Sequence, residues 1–200
     1  MPLPQANSDQ KYTYADYLTW PDDERWEIID GVAFPWNGIQ AMSPAPSVHH
    51  QKISMELSRQ LSTFLKGKPC QVFAAPFDVR LSDQSTVSDN YVDTVVQPDL
   101  VVVCNESKLD DRGCNGAPDL VIEITSPSTG NNDLTIKFDL YQKHCVKEYW
   151  IVLPEAKAVM VFRLQKNKKY GTPDRFGCTD IIKVPLLGDL MVELGSVFID

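Results

Sequence analysis

Two stretches of this chain open with the same four residues. Pro98-Asp99-Leu100-Val101 runs on into Val102-Val103-Cys104, and Pro118-Asp119-Leu120-Val121 runs on into Ile122-Glu123-Ile124-Thr125. Both are nearly continuous apolar runs, the pattern of strands covered on both faces. After the second comes a loop, Ser126-Pro127-Ser128-Thr129-Gly130, and then a helix expected from about Asn132 to His144. Leu134, Phe138 and Tyr141 fall on its buried face. Two apolar strands follow, Tyr149–Leu153 and Ala158–Leu164, joined through Pro154. Strand, helix and strand in this order imply an α/β (α+β) fold, a mixed β-sheet flanked by helices.

Working outward, a helix is expected from Val48 to Lys66, because His50, Ile53, Leu57, Leu61 and Phe64 recur at helical spacing. Ser43-Pro44-Ala45-Pro46-Ser47 leads into it. Upstream, Asp30-Gly31 between Arg25–Ile29 and Val32–Phe34 is a hairpin signal. Thr13 caps a short helix, Tyr14 to Trp20, that Pro21 ends. Strands are expected at Gln71–Ala75 and Phe77–Leu81, a polar loop at Ser82–Gln97, and short strands and turns after Leu164. With no Pro/Gly/Ser-rich linker, residues 12–200 read as one domain behind a loose arm, 1–11.

Composition excludes several classes. At 43% hydrophobic and 23% charged residues the chain is not broadly disordered. Its apolar runs fall far short of the roughly 20 residues that span a bilayer, so no membrane partner is expected. The first residues lack the basic-then-apolar order of a secretory signal. A net charge of −8 argues against bulk coating of nucleic acid. Five cysteines, an odd number without a C-x-x-C pair, suit reduced thiols in a cytoplasmic protein. A zinc site from Cys104, Cys114, His144 and Cys145 matches no standard spacing.

Two residues do not fit a plain core. Glu123 lies inside an apolar strand, where a carboxylate must pair, bind a metal or take up a proton. Lys137 shares a helix face with Leu134 and Tyr141, and lysine is almost never buried unless paired. A helix folded back over the sheet could bring it towards Glu123. It could instead snorkel, or pair with Asp133. If Glu123 binds a metal, its partner cannot be Asp119, about 13 Å away along the strand. A neighbouring strand must supply it, and Asp99 is the best placed, ahead of Asp78, Asp89 and Asp93. Glu27, before the Asp30-Gly31 turn, and His50, at a helix start, are further candidates. Either could equally be an ordinary solvated or core residue.

Pro98-Asp99, then Glu123, then Lys137 resembles the PD-(D/E)xK nuclease superfamily. The surroundings narrow this. Glu27-Ile28-Ile29-Asp30-Gly31, Ser43-Pro44 before His50, Gln97-Pro98-Asp99-Leu100, Leu120 to Thr129, and Lys137 with Tyr141 before Val146-Lys147-Glu148-Tyr149-Trp150-Ile151-Val152 resemble the Uma-two family of putative restriction endonucleases. The resemblance covers about Tyr12 to Val161 and implies a restriction-endonuclease-like core. It departs from the superfamily at Thr125, where the (D/E)-x-K triplet would place lysine, and implies that Lys137 takes over that role.

The resemblance implies an endonuclease that hydrolyses DNA phosphodiesters. Asp99 and Glu123 would hold Mg²⁺ or Mn²⁺, and Lys137 would orient the attacking water or stabilise developing charge. Glu27 and His50 would stand at the rim. The alternatives are a nuclease-fold DNA-binding or regulatory module with little catalysis, and a hydrolase of small phosphate esters. A homodimer suits cleavage of two strands. Lys157, Arg163, Lys166, Lys168, Lys169 and Arg175 stand against Asp174 alone. They form a candidate DNA contact around a hairpin tip at Gln165–Gly171, or merely a solvated turn.

Overall fold

A computed structural model describes residues 10–21, 25–35, 47–82, 88–125 and 131–199, without the side chains of Pro35 and residues 131–134. In chain order the elements are α1 (Tyr14–Tyr17), β1 (Trp26–Ile29), β2 (Val32–Pro35), α2 (Val48–Leu65), β3 (Gln71–Ala74), β4 (Val79–Arg80), β5 (Val95–Val96) and β6 (Leu100–Val103). They continue as β7 (Leu109–Asp110), β8 (Gly113–Asn115), β9 (Leu120–Ile124), α3 (Asn131–Lys143), β10 (Glu148–Leu153), β11 (Ala158–Arg163), β12 (Asp174–Gly177), β13 (Ile181–Val184), β14 (Leu190–Glu193) and α4 (Leu194–Val197).

The strands form two six-stranded sheets, ordered β2-β1-β5-β4-β8-β7 and β12-β11-β10-β9-β6-β3, and a small β13-β14 hairpin. Both large sheets are mixed, because β9 runs parallel to β10 and β4 parallel to β8 among antiparallel neighbours. The expected fold class stands. The central sheet is covered on both faces, as its apolar runs require. Leu100, Val102, Leu120, Ile122 and Ile124 pack against Ile53, Leu57, Leu61 and Leu65 of α2 and against the β13–β14 hairpin. Val101, Val103, Val121 and Tyr149 pack on the other face, against Leu140 and Tyr141 of α3 and Val79, Val96 and Cys114 of the second sheet.

Local chemistry accounts for the joints. Asp30 and Gly31 adopt φ 47° and 80°, the left-handed pair that a two-residue turn needs between twisted strands. Thr13 and Asp16 close a capping box around α1: the Thr13 amide and hydroxyl donate to Asp16 Oδ2 at 2.8 and 2.9 Å. The Ser47 hydroxyl accepts from the His50 amide at 3.1 Å and starts α2.

Several expectations need correction. The expected loop before Gln97 contains β5, two buried valines between β1 and β4. The β7–β8 hairpin was not foreseen; strands this short carry no periodic signal. Cys70 and Cys104 are joined in a disulfide, not left as thiols, because the β3–β6 register places them opposite each other. The stretch Ser43–Pro46, the loop Ser126–Gly130, residues 1–9 of the arm and the Leu134 and Asp133 side chains lie outside the described residues. No helix among the described residues is long and apolar enough to cross a membrane.

Candidate active site

The site grows from one register. In the antiparallel β6–β9 pair, Leu100 faces Ile122, Val101 faces Val121 and Val102 faces Leu120. One step further along this register sets Asp99 opposite Glu123. Directly opposed residues on one face have Cβ atoms about 5 Å apart, within reach of a shared cation where Asp119 is not. Asp99 is anchored: its Oδ2 accepts from the Ile124 amide at 2.7 Å. Its Oδ1 lies 3.2 Å from His50 Nε2, on the first turn of α2.

Lys137 reaches Glu123 from α3. Its Nζ lies 3.1 Å from Glu123 Oε1 and 3.2 Å from Glu27 Oε1. It is only 7% exposed, so the side chain does not snorkel. Two carboxylates give the buried ammonium the partners that burial demands. Tyr141, one helical turn on, donates its hydroxyl to the same Glu123 Oε1 at 2.7 Å. Glu27 comes from β1 in the second sheet and also accepts from the Gln97 amide at 2.9 Å. Glu27 is therefore buried behind Lys137, not placed at the rim as expected.

The electrostatics follow from this crowding. Burial raises the Glu123 carboxyl above the usual carboxylate range; Lys137 opposes the rise, and the charges of Asp99 and Glu27 add to it. Burial works against a charged His50, but the hydrogen bond to Asp99 and its charge outweigh this, so His50 titrates above its ordinary value. Burial, with Glu123 beside it, drives the Tyr141 hydroxyl well above its ordinary range, so it stays a donor.

All five sequence candidates, Glu27, His50, Asp99, Glu123 and Lys137, thus fall in one connected cluster. The competing aspartates are engaged elsewhere. Asp78 accepts from Tyr14 and Gln97, Asp89 pairs with Arg112, and Asp93 accepts from the Thr94 hydroxyl. Tyr141 was read as core alone; its i+4 spacing from Lys137 was the available signal. Gln97 had none beyond its place before Pro98, yet it links Glu27 to Asp78 and Tyr17.

The donor set fits a hard divalent cation. It offers two carboxylates across adjacent strands, and the described residues contain no group of three or more His, Cys, Asp or Glu arranged to enclose an ion. A site of one or two carboxylates completed by water is the usual arrangement for Mg²⁺.

The candidate basic surface divides. Lys157 lies in the β10–β11 turn, next to the pairing of Val152 with Ile124, at the Glu123 end of the sheet. Lys166, Lys168 and Lys169 lie on the hairpin tip closed by the Leu164–Tyr170 bridge, at the opposite end. Arg163 is bound to Glu148 and Asp174, and Tyr170 is buried with its hydroxyl on the Val146 carbonyl.

Comparison with known proteins follows the same lines. A solved structure of a putative nuclease belonging to DUF820, from Anabaena variabilis ATCC 29413, matches with a TM-score of 0.70 at 20% identity. The match covers 94% of this chain and 97% of that one, and it shows the fold. An uncharacterised protein of Synechocystis sp. (strain ATCC 27184 / PCC 6803 / Kazusa), slr1290, is 27% identical over 145 residues, 71% of this chain and 68% of the relative. The Uma2 family model, described as "Putative restriction endonuclease", matches residues 14–193. The resemblance drawn from the ordered motifs is borne out, and this chain belongs to the Uma2 family.

Proposed function

We propose that the protein is a Mg²⁺- or Mn²⁺-dependent endonuclease that hydrolyses DNA phosphodiester bonds at the Asp99–Glu123–Lys137 cluster. One observation carries the reading: a buried lysine lies 3.1 Å from a strand glutamate that sits opposite a second carboxylate. A structural core has little use for such a set, since burying like charges is costly. A phosphodiesterase uses each member.

Asp99 and Glu123 would hold the cation. When bound, a divalent metal supplies Lewis acidity to the scissile phosphate and acidifies water. Lys137 orients the attacking water or stabilises negative charge on the phosphoryl oxygens. Glu27 holds the ammonium in place. His50, with Nε2 at 3.2 Å from Asp99, is placed to pass a proton to the departing oxygen. A homodimer is the expected state for cutting both strands of a duplex, and sedimentation of the purified protein checks it.

The test is cleavage of plasmid and single-stranded DNA with Mg²⁺, with Mn²⁺ and with excess EDTA, for wild type and Glu123→Ala. Metal-dependent cutting lost in the variant is expected. Equal nicking by both proteins would defeat the reading. DNA binding without cutting in any metal would favour a binding or regulatory module.

A further inference from the structure

We propose that Tyr141 is a positioning residue that fixes which oxygen of Glu123 meets the cation, and thereby favours a small octahedral ion over Ca²⁺. The inference rests on the metal-dependent reading above and concerns a residue outside the acid–acid–lysine set.

A hydroxyl and an ammonium meet Glu123 at one atom. The Tyr141 hydroxyl is 2.7 Å and Lys137 Nζ 3.1 Å from Oε1. Among the described residues no hydrogen bond falls on Oε2. The Tyr141 hydroxyl takes one lone-pair site of Oε1, and the ammonium beside that oxygen repels a second cation from it. The oxygen left for a cation is Oε2, and Glu123 is restricted to a single bond to the ion.

This restriction discriminates between cations. Ca²⁺ takes six to eight oxygens and readily chelates a carboxylate through both, whereas Mg²⁺ holds to an octahedron. Bidentate binding here would require Oε1 to shed a donor. Lys137 gives its hydrogen bond to Glu27, at 3.2 Å. Tyr141 donates its hydroxyl to Glu123. Its ring is fully buried and meets Tyr149 edge-on at 5.0 Å between centroids. Its carbonyl accepts from the Val146 amide at 3.0 Å. Held at both ends, the hydroxyl has little room to swing away.

The experiment is calorimetric titration of wild type and Tyr141→Phe with MnCl₂ and, separately, CaCl₂, without DNA. In Tyr141→Phe we expect Mn²⁺ affinity to fall about tenfold, the usual scale for losing an outer partner of a metal ligand. Ca²⁺ affinity should hold or rise. Equal losses for both ions, or no change in either, would overturn the proposal while leaving the metal site standing. Wild type that binds no Mn²⁺ at all would overturn the metal-dependent reading and this inference with it. Should Tyr141→Phe fail to fold, a wild-type crystal soaked in Mn²⁺ decides. Glu123 bound through Oε2 alone, with Tyr141 still on Oε1, is expected; Oε1 on the ion would overturn the proposal.

Discussion

Asp99 and Asp119 begin two copies of one motif, and the antiparallel pairing of their strands relates them by a local two-fold about the Val101–Val121 pair. Each carboxylate caps the end of the other strand. Asp99 Oδ2 accepts from the Ile124 amide at 2.7 Å, and Asp119 Oδ2 accepts from the Cys104 amide at 2.7 Å. Their second oxygens part company. Asp99 Oδ1 faces half-buried His50, whereas Asp119 Oδ1 is bound by exposed Lys147 at 2.6 Å. Position by position along the motif, Glu123 corresponds to Val103. One end therefore gathers a carboxylate pair, a buried lysine and a tyrosine, while the other ends as an ion-paired strand cap. A repeated backbone device supplies the anchoring, and one position within it, glutamate or valine, separates the candidate site from an ion-paired strand cap.

The largest expected effect breaks the two ends apart. Asp99→Ala or Glu123→Ala should lower DNA cleavage at least about a thousandfold, since metal coordination contributes several kcal/mol at the transition state. Asp119→Ala should leave the cleavage rate nearly unchanged. It should instead lower stability by about 1–3 kcal/mol in urea melts, because the half-buried Cys104 amide loses its acceptor. Equal kinetic losses at both aspartates would end the distinction.

Next in size is Lys137→Met. Removing the ammonium leaves Glu27 and Glu123 buried without a counter-charge. Stability should drop by about 3–5 kcal/mol at neutral pH, and cleavage by about a hundredfold or more. Glu123, already raised to about 8, loses the charge that opposes the rise, so stability should climb as the pH falls from about 8 towards the ordinary carboxylate range. A urea midpoint that does not move between pH 4.5 and 7.5 would show that Lys137 is not neutralising them.

Val103→Glu recreates the missing acid at the Asp119 end. Set among the apolar side chains that pack with Val103, such as Val79, Val96 and Val121, this carboxylate should cost about 3 kcal/mol, and Mn²⁺ titration should reveal no second binding event. A second event would show that register alone builds the site. Smallest of all, Lys168→Glu with Lys169→Glu should change the salt slope of DNA binding by less than about 1. Their hairpin tip lies at the Asp119 end, so a steep loss would place DNA across both ends of the sheet.

The comparison also explains what was legible in the sequence. The two apolar runs, the intervening helix and the misfit acid and lysine stood out because burial makes a charged residue conspicuous. Tyr141 was hidden for the opposite reason: a tyrosine on an apolar helical stripe satisfies the core pattern, whatever its hydroxyl holds. Glu27 was visible, but its burial was not, because the second sheet that covers it is assembled from strands of two to four residues. The Cys70–Cys104 disulfide depended on a register between strands 34 residues apart. Amphipathic period reports which side of an element faces inward. It does not report which residue lies across from which.

That the lysine stands on α3 rather than on β9 has a consequence for how the molecule comes into being. The two acids are brought together by strand pairing, but the ammonium arrives only when the helix docks. The acid–acid–lysine set is thus complete only with α3 packed on the sheet.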